Sequence, residues 1–174
     1  MCGKIFLFMS ACAVAVLAKE KHHRCNIPPS APKRIETVIN QCQDEIKVAI
    51  LAEALQAVSL TESGSKRSKR DTFTGEERRI AGCLLHCVYR KMKAINEKGF
   101  PTVEGLVALY TEGIEDKEYI LATLQSVNIC LNRAQKKYVT TPQSLDEQGK
   151  ACEIAYDVFD CVSEKIGEYC GQTP

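Results

Sequence analysis

Histidine is scarce here: three residues in 174, His22, His23 and His86. Acid–base catalysis at neutral pH therefore has few candidates, because histidine is the side chain that ordinarily titrates there. The motifs that build other active sites are also missing. There is no phosphate-binding glycine loop, no GxGxxG turn, no HExxH helix and no GxSxG elbow. The sequence reads as a non-enzyme that needs no cofactor. Charge of one sign is lacking too, with 23 Lys and Arg against 22 Asp and Glu. That leaves no basic footprint for nucleic acid. No Asn-x-Ser/Thr sequon occurs, so the usual N-glycan is not expected. Strand-like alternation of useful length and internal repeats are absent as well.

One long apolar run is present, at the N-terminus. "MCGKIFLFMSACAVAVLA" carries Lys4, then apolar residues from Ile5 to Leu17, and ends in Val16-Leu17-Ala18. This is the pattern of a secretory signal peptide, and the run is short for a membrane span. Cleavage after Ala18 would remove Lys4 and leave a mature chain with about zero net charge. No other segment suits a membrane, so no membrane insertion is expected after signal removal. The expected organisation is a signal peptide at 1–18, an N-terminal arm at 19–31 and one helical domain at 32–174. Within that domain, 61–75 reads as an exposed basic loop. The expected location is extracellular.

Two of the ten cysteines fall in the signal segment. Eight remain: Cys25, Cys42, Cys83, Cys87, Cys130, Cys152, Cys161 and Cys170. An even number in a secreted chain reads as a disulfide framework. Spacing alone cannot choose among on the order of a hundred connectivities.

Helical periodicity covers most of the chain. Ile35, Val38, Ile39, Cys42, Ile46, Ala49, Ile50 and Val58 fall near one face of a first helix, after Pro28, Pro29 and Pro32. Thr74 and Glu77 suggest a capping box for a second helix, reaching about Lys98 before Gly99 and Pro101. A short third helix spans about Val103 to Glu112 and stops at Gly113. Asp116 is placed to cap a fourth, which ends at Lys136 and Lys137, where basic charge suits the dipole. Ser144 and Glu147 suggest a second capping box, and the last helix is expected to stop at Gly167. The expected fold class is all-α: a compact, disulfide-linked bundle of five to six helices around an apolar cavity.

Helix geometry limits what the cysteines can do. Cys152 and Cys161 are nine residues apart, so they point to opposite faces, about 13.5 Å apart along the axis. They cannot pair inside one helix. Cys83 and Cys87 share a face, with Cβ atoms about 5–6 Å apart. A disulfide needs about 3.8 Å. Those two also reach elsewhere. A zinc site would need four ligands, and His86 lies about 60–100° around the helix from Cys83 and Cys87. No metal site is expected. A redox pair would want Cys-x-x-Cys beside a strand, and neither is present. His22 and His23 read as part of a polar arm.

Cys42, then Cys-x3-Cys at Cys83 and Cys87, then Cys130, then Cys-x8-Cys at Cys152 and Cys161, resembles the insect odorant-binding protein family. The match runs from Cys42 to Cys161. The resemblance implies first–third, second–fifth and fourth–sixth pairing: Cys42–Cys87, Cys83–Cys152 and Cys130–Cys161. The gaps Cys42 to Cys83 and Cys130 to Cys152 are longer than usual, and Cys25 and Cys170 are additional. We expect these two to pair with each other. In the family the C-terminal tail can cover or open the pocket, and such a bridge would restrict it.

The resemblance also implies function: a secreted carrier that reversibly binds small hydrophobic molecules, with a chemosensory receptor as a further partner. Candidate lining residues are Leu84, Val88, Met92, Leu109, Tyr110, Leu124, Val127, Val158, Phe159 and Val162. Each is also an ordinary core residue by pattern. Tyr110 is the expected polar handle, since a buried hydroxyl needs a partner. His86 as a pH-dependent release switch is a further reading. Arg67-Ser68-Lys69-Arg70 resembles a furin-type processing site, and its composition also suits a solvated loop. Two alternatives stay open: a secreted precursor processed at Arg67–Arg70, and a disulfide-linked helical interaction protein without a ligand cavity.

Overall fold

The computed structural model describes residues 24–26, 32–60, 75–141, 144, 145, 147 and 149–171. The signal segment, the capping threonine Thr74 and the Arg67–Arg70 run lie outside the described residues. Five helices are present among those described: α1 Lys33–Leu60, α2 Gly75–Lys91, α3 Val103–Tyr110, α4 Lys117–Tyr138 and α5 Lys150–Cys170. The described residues contain no strand, only an isolated antiparallel bridge between Ile95 and Pro101. The chain is all-α.

The most extensive helix packing among the described residues is α2 against α5, and a glycine allows it. A Cβ on Gly82 would fall 2.2 Å from the Cys152 backbone oxygen. Without a side chain there, the two backbones come together, and the next residue, Cys83, bonds to Cys152 with a Cα–Cα distance of 4.3 Å. The same device seats α3, since a Cβ on Gly105 would fall 2.4 Å from the Ala94 Cα.

Four disulfides tie the elements: Cys25–Cys170, Cys42–Cys87, Cys83–Cys152 and Cys130–Cys161. These are the pairs named above. Three of them end on α5. Its cysteines recur every nine residues, half a turn out of phase each time. Cys152 and Cys170 therefore hold one face at the two ends, and Cys161 holds the opposite face in the middle. α5 is stitched to α2, to α4 and to the N-terminal arm. That arm is fixed again by two of its backbone N–H groups, Arg24 donating to the Cys170 carbonyl at 3.0 Å and Asn26 to the Asp116 side-chain Oδ2 at 3.2 Å.

Several helix ends differ from expectation. α2 stops at Lys91, not near Lys98. Lys93 takes a positive φ of 57°, and the Asn96 side chain accepts from the Lys98 and Phe100 amides, closing a tight loop instead of a further turn. α3 ends at Tyr110 and is capped at its start by Thr102, whose hydroxyl accepts from Gly105 N–H. Asp116 caps α4, accepting from Tyr119 N–H at 2.8 Å. α5 begins at Lys150, not at Ser144. Ser144 Oγ bonds back to Thr141 N–H at 2.8 Å, which takes it out of a capping role, and Gly149 at φ 81° starts the helix. Gly167 does not stop α5. It is buried within the helix, which runs on to Cys170 and ends at Gly171 with φ 76°.

Candidate functional site

The main core gathers residues from every helix, including Ile35, Tyr89, Leu106, Val127, Ile154, Val158 and Val162. Of the ten candidate lining residues, Leu109, Val127, Val158 and Val162 are buried in it, and Met92 and Tyr110 pack against it. Leu84 and Val88 belong to a smaller cluster around the Cys42–Cys87 bridge, which Met92 also touches. Leu124 and Phe159 do not join either group. They are 42% and 39% exposed. Each lies one residue past a buried position, Thr123 and Val158, and one residue is about 100° around a helix.

Inside this apolar interior is a group of hydroxyls. Tyr89, at the end of α2, and Tyr110, at the end of α3, bring their hydroxyls to 3.3 Å. Tyr119, in the first turn of α4, is buried, and its charge would be felt at Tyr110. One turn further along α4, Thr123 is fully buried, and its Oγ1 has no hydrogen-bond partner. It lies near enough to Tyr119 to ease that phenol's ionisation, without making a bond of ordinary geometry. Burial pushes the Tyr89 phenol up to about 12, only partly offset by Tyr110. Burial, and then the neighbouring Tyr89, hold Tyr110 well above the usual phenol range. Tyr119 is raised by burial as well. All three phenols therefore stay protonated and act as neutral donors. Tyr110 as a whole residue is only part-buried, but its hydroxyl end lies inside.

Tyr89, Tyr119 and Thr123 are absent from the sequence-based set. A tyrosine or threonine at a core phase reads as ordinary packing, and the signal that would have found them is that Tyr89, Tyr110, Tyr119 and Thr123 flank the short third helix. Among the described residues, the buried polar side chains other than tyrosine are Thr123, Ser126 and Ser144, and no charged side chain is buried.

His86 is half-buried, with Nε2 shut in beside Gly99 and lacking a partner. Burial first, and then the Arg90 charge, lower its pKa. It therefore stays neutral further into acid than a free histidine.

Two of the clefts on the surface of the described residues border α4. One of about 450 Å³ is bordered by Phe100, Val103, Leu131 and Leu145 on its apolar side and by Asn128 and Asn132 on its polar side. The other, about 280 Å³, surrounds Asp157 with Arg78, Arg133, Lys137 and Tyr138. Neither is lined by any of the ten candidates.

No helix among the described residues is long and apolar enough to cross a membrane. Comparison with known proteins places this architecture. No solved structure gives a significant match. General odorant-binding protein 70 of Anopheles gambiae is 42% identical over 159 residues, which is 84% of this chain and 79% of that protein. The profile of the PBP/GOBP family matches residues 26–165. That span takes in six of the eight disulfide-bonded cysteines and all five helices from their first turn, and the chain belongs to the PBP/GOBP family.

Proposed function

We propose that this protein is a secreted carrier that reversibly binds small hydrophobic molecules and keeps them in solution in extracellular fluid. Family membership supports a small-ligand carrier role in general. The observation that carries the reading for this chain is its interior: apolar, cross-linked by four disulfides, with hydroxyls as its buried polar groups and no buried charge among the described residues. A small apolar molecule gains about 25 cal/mol per Å² by leaving water for such an interior. Cross-links keep helices in place that need not pack to full density, which leaves room for a guest. Leu109, Tyr110, Val127, Val158, Val162 and Met92 are the lining residues this reading uses. Delivery to a chemosensory receptor is the partner step that the same reading implies.

The test is displacement of a fluorescent apolar probe from the oxidised chain by small volatile compounds. The expected result is saturable probe binding and full displacement. A chain that binds neither probe nor volatile would refute the carrier reading. It would favour the alternative of a helical interaction protein, to which the exposed Val48, Leu51 and Leu55 of α1 lend some support. The processed-precursor alternative rests on Arg67–Arg70, outside the described residues.

A further inference from the structure

α1 has two apolar faces, and the fold uses one of them. The first carries Ile35, Ile39 and Cys42, which meet the bundle around the Cys42–Cys87 bridge. The second carries Val48, Leu51 and Leu55, which are between 63% and 72% exposed. Leu51 lies nine residues past Cys42, half a turn out of phase, and Val48 and Leu55 fall within about 60° of it. The bridge that fixes α1 to α2 therefore turns this second stripe outward. Its spacing is three residues and then four. That is the narrow seam by which one helix takes another, and not the broad face, about 100° or more, that a helix lays on a globular core. Ala52 beside the stripe is small and exposed, so a second helix can come close.

The chain has little of its own to cover this stripe. Beyond the signal-like run at the N-terminus, the residues outside the described ones offer only Ile27 and Phe73 as large apolar side chains. A lipid surface fits poorly too. Asp44 continues the stripe one turn before Val48 and would press a carboxylate against the bilayer. A copy of the same stripe fits well, because a two-fold interface pairs one patch with itself. We propose that Val48, Leu51 and Leu55 of α1 form a docking surface for a second copy of this chain, with the two α1 helices antiparallel. Antiparallel pairing sets the two Asp44 carboxylates at opposite ends of the seam, whereas parallel pairing would stack them, each only partly screened by its exposed Lys47 partner. About two turns of seam bury less than the roughly 1,600 Å² of a standard interface, so the dimer is weak, with a dissociation constant on the order of 10–100 μM. It dissolves at the low concentrations of an unfolding experiment.

The experiment is sedimentation equilibrium of the oxidised, secreted chain, from about tenfold below that range to about tenfold above it. The expected result is monomer at the low end and dimer at the high end. Leu51→Glu sets two carboxylates against an apolar seam and is expected to weaken dimerisation roughly tenfold or more. Leu55→Glu acts in the same direction. Ile129→Glu, at an exposed residue of α4, is expected to leave the dimer unchanged. All three positions are exposed, so the monomer should keep its fold, and circular dichroism checks this. A chain that stays monomeric at every concentration overturns the inference, as does a dimer that survives both α1 substitutions. A dimer lost equally with Ile129→Glu overturns it as well. So does binding to phosphatidylserine–phosphatidylcholine vesicles that replaces self-association and is lost with Leu51→Glu, since the stripe then takes lipid. None of these outcomes bears on the carrier reading, which probe displacement tests separately.

Discussion

α1 and α5 are the two ends of the helical fold, 28 and 21 residues long and similar in apolar content, yet they are held in opposite ways. α5 carries three disulfides to three different partners and buries residues along its whole length, from Ile154 to Cys170. α1 carries one, at Cys42, and beyond it Val48, Leu51 and Leu55 stand largely in solvent. Both grip α2 through a carboxylate. Asp157 on α5 is mostly covered and meets Arg78, Lys137 and Tyr138, whereas Glu45 on α1 meets Arg90 and Lys91 in the open. Length and apolar content do not decide how firmly a helix belongs to the fold. The phase of its cross-links does, because links on opposite faces force neighbours onto both sides.

The contrast can be broken most severely at α5. Replacing Cys83 and Cys152 together with alanine is expected to cost about 2–5 kcal/mol in denaturant unfolding. A loss no larger than that from removing the Cys42–Cys87 bridge would show that α5 is not the organising helix. Next is Gly82→Ala. Alanine is the better helix former by about 1 kcal/mol. Here its methyl would collide with the Cys152 carbonyl, a backbone atom that cannot swing aside. The clash should win, with a net loss of about 1–3 kcal/mol in the same measurement.

Asp157 offers a smaller and pH-dependent effect. Burial alone would raise its pKa, but hydrogen bonds from Lys137, Tyr138 and Arg78 prevail and lower it. The folded pKa is then below the unfolded one, so its stabilisation is present above the unfolded value of about 4 and is lost as pH falls through the folded value. Asp157→Asn should cost about 1 kcal/mol at pH 7, a figure kept low because the pair's outer edge is in water. It should also flatten the acid limb of the stability profile below about pH 4. An unchanged acid limb would contradict the role given to this carboxylate. Smallest of all, Leu55→Ser on α1 should move stability by less than about 0.5 kcal/mol. A large loss there would mean that this part of α1 is covered in solution.

Much of the fold was legible in the sequence because helices and cysteines leave strong marks. Half-turn spacing placed Cys152 and Cys161 on opposite faces before any coordinates, and Asp116 announced the start of α4. What escaped was set by single side chains acting over a few residues. The apolar period runs on through Ile95, so nothing in it shows that Asn96 closes a loop there. Ser144 looks like a cap until Thr141 takes its hydroxyl. Gly167 reads as a stop, but it is buried in the middle of the last turns. The site was harder. Val158 was separable from Phe159, and Thr123 from Leu124, only by one residue of helix phase, about 100°. Hydrophobicity ranks Leu124 above Thr123, whereas the structure buries the threonine.

The bond between Cys25 and Cys170 joins positions 145 residues apart, so nearly the whole described chain is a covalent ring. A ring cut once becomes a line, not two pieces. A protease that cuts the chain once between these cysteines leaves one covalent molecule until the disulfides are reduced. Persistence after a single cut is thus written into the closure of the chain.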